Sequence, residues 1–379
     1  MKTLFHKLFL FFLPFSFFPS LRFNEIPICF IFLFISIIFS KVDFADLNSK
    51  TLVNVYTKLY LLYTIASLPI IFYSIYNNPS SIKAITYTII PLIILIFYRD
   101  FINQFHFQAK FLLFGIFSVV IFGWAFKYNI LSPLLYFPES KQAELDIGYW
   151  GIRYMISSRN ADYFYPILGS ILSFKLIKND YFKSVSIIFF LATAVLSQSR
   201  GAIIICFMHL FIMLFFDNKL KDSKKMLLLG SLLVLIIPYY IDFNFLENVI
   251  LSIFENDTTS SFSNIERKKI LFLTFDKFLN NPFGVGVNNF TLNGLESRSA
   301  ENAFLTILIE RGFFPGILFL FMLFKILKDS FYLKSKLLLL YASSIFIYLM
   351  FNYELNNFFT NSILLIIICE SKFIKKRIV

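Results

Sequence analysis

Residues Asn280–Gly316 read NNPFGVGVNNFTLNGLESRSAENAFLTILIERGFFPG. The stretch carries Gly284, Gly286, Gly294, Gly312 and Gly316, the prolines Pro282 and Pro315, and the charges Glu296, Arg298, Glu301, Glu310 and Arg311. Around it the chain is almost continuous Phe, Leu and Ile. Polar chemistry this dense beside a membrane is expensive unless it is used.

Composition sets the surroundings. The 379 residues are 58% hydrophobic, 20% aromatic and 15% charged, with a mean hydropathy of +0.72. Soluble domains sit near half apolar and about a quarter charged. Long apolar runs recur along the whole length, which predicts an all-α polytopic membrane protein, a single integral-membrane domain over 1–379. The net charge of +12 is read as lysines that set topology and touch anionic headgroups, not as a nucleic-acid surface. Cys29, Cys206 and Cys369 fall inside apolar runs, and His6, His106 and His209 are scattered, so neither a disulfide nor a metal site is expected. Lys2 and Lys7 precede an apolar run without a small-residue cleavage site, which predicts an uncleaved first span.

At roughly 20 apolar residues per span, about twelve spans are predicted. They fall near 5–21, 26–40, 57–76, 82–98, 111–130, 161–177, 182–198, 201–216, 225–241, 302–327, 335–352 and 357–374. The first two are short and Phe-rich, and read as tilted spans or a re-entrant pair. With the N-terminus inside, the inner segments hold mostly lysines, among them Lys2, Lys7, Lys58, Lys219, Lys224, Lys325, Lys336 and Lys375. The reverse assignment would break the positive-inside rule, so both termini are expected in the cytoplasm.

The outer segments differ. They hold Arg22, Arg153, Arg159, Arg200, Arg267, Arg298 and Arg311 beside Lys83, Lys127, Lys141, Lys268, Lys269 and Lys277. Topology needs only charge, which lysine supplies. Arginine adds a planar fork that grips phosphate or carboxylate bidentately. The group therefore points to an anion held at the outer face, although each member also has acidic loop residues to pair with.

Two outer segments are long. Residues 131–160 interleave Tyr136, Phe137, Tyr149, Trp150 and Tyr154 with Arg153 and Arg159, which suits an interfacial belt or a sugar-stacking surface beside an anion grip. The second, 242–301, precedes the tenth span. It opens with a Ser/Thr/Asn/Asp-rich turn region from Glu255 to Asn264. An amphipathic interfacial helix is then predicted near 265–280, with Leu271, Phe272, Phe275, Phe278 and Leu279 apolar and Arg267, Lys268 and Lys269 at its start. Cations at a helix N-terminus are disfavoured by the macrodipole, and a bound anion would reverse that. Between spans seven and eight the link is only Ser197-Gln198-Ser199-Arg200-Gly201, which leaves Arg200 nearly buried.

Five separated motifs carry a family resemblance in order. They are Arg159-Asn160, SQSRGA at 197–202, the helix containing Arg267, NPFGVGVNNF at 281–290, and AENAFLTILIERGFFPGILFLF from Ala300. Over about 150–330 the chain resembles the O-antigen polymerase and O-antigen ligase superfamily, membrane glycosyltransferases of the GT-C type. Ligases usually carry a His-Asn pair where this chain has Glu301-Asn302, so the pair looks more like the polymerase branches.

The resemblance implies transfer of a glycan from an undecaprenyl-diphosphate donor to a sugar hydroxyl on a lipid-linked acceptor. It places the active site on the outer face of a bacterial cytoplasmic membrane. No DxD-like or His/Asp cluster stands in the outer loops, and arginine would replace the divalent cation, with no cofactor implied. Glu301, Arg267 and Arg200 are then the expected catalytic residues. Arg153, Arg159, Arg298, Arg311 and Asn302 are expected to bind the diphosphate and substrate. Glu301 could act as base or only orient the acceptor, because arginines and a helix N-terminus weaken a carboxylate base while burial strengthens it. Membrane lipids, a flippase and a chain-length regulator are the implied partners. The alternatives are a ligase acting on lipid A–core or protein, and a lipid-linked sugar transporter. The chain shows no convincing internal repeat, which weighs against the transporter.

Overall fold

A computed structural model describes residues 2–17, 22–23, 26–39, 55–77, 88, 99–127, 130, 163–196, 200–215, 258–287, 302–333 and 335–351. These residues are helical apart from turns and one two-residue ladder. In chain order the helices are α1 (Lys2–Phe12), α2 (Ile28–Ile38), α3 (Val55–Asn77), α4 (Arg99–Lys127), α5 (Phe164–Leu176) and α6 (Asp180–Leu196). There follow α7 (Arg200–Phe215), α8 (Thr258–Asn280), α9 (Ala303–Arg311), α10 (Phe313–Tyr332) and α11 (Lys336–Phe351). The chain forms two compact units, Met1–Lys41 with Asn103–Glu247 and Val42–Ile102 with Asn248–Val379.

In the first unit, α1 continues as a 3-10 turn (Leu13–Phe17) and packs on α2. Between them β1 (Arg22–Phe23) pairs antiparallel with β2 (Ile26–Pro27). α2 has 11 residues, which makes it about 17 Å long against a hydrocarbon core of about 30 Å. α4 begins at Arg99, well before the predicted 111, because RDFINQFHFQAK contains no proline or glycine to end it. Its Gly115 meets the end of α1, where an added Cβ would stand 2.2 Å from the Phe11 carbonyl oxygen.

α5 and α6 form a tight hairpin. Asn179 Oδ1 caps α6 by accepting from the amides of Tyr181 (3.0 Å) and Phe182 (3.2 Å). Gly169 leaves room for the Phe190 ring. Buried Ser170 donates to the Ile167 carbonyl at 2.8 Å, and its Oγ lies 3.1 Å from Nδ1 of buried His209.

The second unit is built on α3, which packs along α10 and also meets α9. The polarity of α3 is inverted. Its buried residues include Tyr56, Thr57, Tyr60, Tyr63, Thr64, Ser67 and Ser74, whereas Leu62, Ile65 and Phe72 are exposed. In water that arrangement would be inside out. In a bilayer, Leu and Phe face lipid and hydroxyls turn inward. Each buried hydroxyl also needs a partner there, and Thr64, Ser67 and Ser74 donate to the carbonyls of Tyr60, Tyr63 and Ile70 at 2.8, 2.8 and 2.6 Å. At the other end of the pair, the Tyr56 hydroxyl donates to the Asp329 carboxylate, which Lys325 pairs at 3.3 Å.

Two stretches, Val55–Asn77 and Gln108–Ala125, are each long and apolar enough to cross a membrane. The helices agree with a membrane all-α protein. The predicted spans near 225–241 and 357–374, and all of 82–98 except Thr88, lie outside the described residues. So do the long outer segment 131–160 and most of 242–301.

One boundary is corrected. α8 starts at Thr258, not near 265, and absorbs most of the predicted turn region. Ser, Thr and Asn favour the first turn of a helix as much as a loop, because their side chains reach its free amides. Arg267, Lys268 and Lys269 therefore lie in the interior of α8 rather than at its start. The macrodipole acts only over the end turn, so its proposed conflict with these cations falls away.

Candidate functional site

α8 ends where the Asn281 side-chain amide donates to the Lys277 carbonyl at 3.1 Å. The turn Asn281–Val287 then folds back, with the Gly284 amide on the Asn281 carbonyl at 2.9 Å. Gly284 and Gly286 take φ of 97° and 102°, values open to glycine.

This turn closes onto the end of α9. The last carbonyls of a helix have no partner within it, and at membrane depth each orphan costs several kcal/mol. Here the Val285 amide donates to the Ile309 carbonyl (2.8 Å) and the Gly286 amide to the Glu310 carbonyl (3.1 Å). In return the Phe313 amide, the first of α10, donates to the Pro282 carbonyl at 2.8 Å. The predicted span 302–327 is thus two helices broken at Gly312, whose φ of 90° and ψ of 175° suit only glycine. The break falls at Gly312, while Pro315 and Gly316 lie in the first turn of α10. The two glycines face each other. A Cβ on Gly284 would meet the Glu310 carbonyl at 2.8 Å, and one on Gly312 the Phe283 carbonyl at 2.5 Å. The close approach that Gly284 permits is to the chain's own backbone.

The interlock is pinned to α3. The Val287 amide donates to Ser74 Oγ at 2.7 Å, and Val287 packs on Ile71 and Ile75.

Asn302 holds the other end of α9. Its Oδ1 accepts from the amides of Phe304 (2.9 Å) and Leu305 (3.3 Å), and its Nδ2 donates to the Met350 carbonyl of α11 at 3.2 Å. Asn302 is therefore the N-cap, and α9 begins at Ala303 rather than at Glu301. A cap of this kind contributes about 1 kcal/mol. An Asn immediately before an apolar helical run is the sequence signal that would have identified it.

Arg311 is buried, with only 3% of its surface exposed. Its Nη2 donates to Thr88 Oγ1 at 3.0 Å, and its guanidinium lies 5.2 Å from the centre of the Tyr63 ring. A desolvated cation–π contact of this kind is worth about 2 kcal/mol. Sequence reasoning missed both partners, since neither Tyr63 nor Thr88 is distinguished from its apolar neighbours by any local pattern.

Of the other expected site residues, Arg200 is the first residue of α7 and Arg267 lies within α8. Glu301, Arg298, Arg153 and Arg159 lie outside the described residues.

Among the described residues, the helices, two of them long and apolar enough to cross a membrane, and the polar inward side of α3 are consistent with a membrane protein. Residues 185–321 match the family described as O-antigen ligase. That match supports the O-antigen polymerase and ligase family for this chain, and with it a membrane-embedded protein of glycan transfer in polysaccharide or lipopolysaccharide biosynthesis. A search of curated proteins finds no match.

Proposed function

We propose that the protein polymerises oligosaccharide repeat units carried on undecaprenyl diphosphate into a surface polysaccharide, at the outer face of the bacterial cytoplasmic membrane. The observation that carries this reading is the family match over 185–321, because that stretch contains Arg200, Arg267, Arg298, Glu301 and Asn302. Glu301-Asn302, in place of the His-Asn pair of ligases, favours polymerisation.

In the transfer, the acceptor hydroxyl oxygen bonds to the anomeric carbon of the donor sugar. The bond from that carbon to the diphosphate oxygen breaks, and its electron pair leaves with the lipid diphosphate. The hydroxyl proton passes to Glu301 or, where Glu301 only orients the hydroxyl, to solvent. Arg153, Arg159, Arg200, Arg267 and Arg298 would bind the leaving diphosphate and stabilise its growing charge. That role needs no metal ion.

The test is a gel of surface glycans from a deletion strain complemented with wild type, Glu301→Ala or Arg267→Lys. A polymerase predicts a single repeat unit on the acceptor with Glu301→Ala and shortened chains with Arg267→Lys, which keeps charge but loses the fork. Long chains stranded on the lipid carrier would instead mark a ligase. Glycans unchanged by the deletion would remove both readings.

A further inference from the structure

We propose that Arg311 is a positioning residue for the transfer, bridging Tyr63 of α3 and Thr88 so that the α9 rod is held at a fixed place. The inference rests on the glycan-transfer reading above.

Three observations carry it. First, Arg311 is buried, and its guanidinium is turned onto Thr88 at 3.0 Å and over Tyr63 at 5.2 Å. Tyr60 packs edge-on to Tyr63 with ring centroids 5.8 Å apart, which fixes the ring that Arg311 covers.

Second, Arg311 is the last residue of a nine-residue helix, a rod of about 13 Å. The first turn of that rod is capped by Asn302, which adjoins Glu301 in sequence. A shift at the Arg311 end therefore moves the Asn302 end.

Third, the neighbouring anchors converge on the same helix. Ser74 of α3 holds Val287, and the Gly284–Gly312 interlock joins that turn to the Arg311 end of α9. Val287 and Asn302, the described residues on either side of 288–301 in sequence, are held by Ser74 and by the Met350 carbonyl. Arg311 ties the far end of α9 to α3 through Tyr63.

Arginine suits this role and lysine does not. Only a planar guanidinium can lie on a ring while donating in its own plane to a hydroxyl.

The test uses the purified full-length chain in lipid nanodiscs, with diphosphate-linked repeat units as donor and acceptor. It compares wild type with Arg311→Lys, Tyr63→Leu, the double variant, and the milder Thr88→Val. Misplacing a catalytic group by an ångström costs on the order of 100-fold in rate, so Arg311→Lys and Tyr63→Leu are each expected to lower kcat by about that factor. KM for the lipid-linked donor should stay within about twofold, as for a group that does not touch it. The double variant should be no slower than the worse single, because the two residues form one bridge. Thr88→Val should show the same split at about tenfold.

A raised donor KM with kcat preserved, or losses that simply multiply in the double variant, would overturn the proposal. Thermal unfolding of the same proteins needs no activity and separates the two readings. If wild type transfers no glycan while the melting shifts of Arg311→Lys and Tyr63→Leu are non-additive, the proposed function falls and the bridge stands. If wild type is active and the shifts are additive, the bridge falls and the function stands.

Discussion

Gly312 shows how one residue without a side chain shapes the unit around α3. Its φ of 90° and ψ of 175° would strain any other residue by about 1–3 kcal/mol. Its missing Cβ also makes room for the Phe283 carbonyl, a backbone atom that cannot rotate away. Gly312→Ala is therefore expected to lower the melting temperature in detergent by several degrees. Gly316→Ala should do less, because the closest atom its Cβ would meet is the end of the Leu308 side chain, at 2.5 Å, which can rotate away. Equal or reversed shifts would contradict the interlock. The sequence marks both Gly284 and Gly312 as places where the chain turns. It does not show that they touch, since nothing local links two residues that far apart. Asn302 and Arg311 show a related limit. Their residue types are plain in the sequence but their partners are not: Asn302 caps a helix and Arg311 rests on Tyr63 and Thr88.

At the level of elements, α8 presents three faces. Ile270 and Thr274 are buried, Leu271, Phe272, Phe275 and Leu279 are exposed and apolar, and Lys269, Asp276 and Asn280 are exposed and polar. A helix packed on protein, dipping one side into lipid and lifting another into water, has this division. Spin labels at Phe272→Cys should be accessible to oxygen and shielded from a nickel chelate, and labels at Asp276→Cys the reverse. Equal accessibility at the two sites would remove the interfacial helix. The apolar face was readable from the three-to-four spacing of Phe and Leu. The start at Thr258 was not, because Ser and Thr serve loops and first helical turns alike. For α9 and α10, length alone shows that one straight helix from Ala300 to Leu327 would exceed the bilayer. Only the turn amides that satisfy Ile309 and Glu310 explain how the chain can break there.

For the whole molecule, the lysine pattern predicts that Lys219–Lys225 faces the cytoplasm and that 288–301 faces outward. In a background with Cys29, Cys206 and Cys369 replaced, an impermeant maleimide should label Thr291→Cys and spare Ser223→Cys in intact cells. The opposite labelling would invert the topology and move Glu301 and Arg298 to the wrong side for periplasmic chemistry. The amino-acid sequence was enough to read the chain as an α-helical membrane protein and to show which family residues 185–321 resemble. Those properties are local: apolar length, the placement of lysines, and short motifs read in order. The partners of the described polar residues come from the tertiary structure. Ser74 meets Val287 and Thr88 meets Arg311 across more than two hundred residues of chain. No periodicity encodes such pairs. They form because hydroxyls, an arginine and helix-end carbonyls, once withdrawn from water, must find one another.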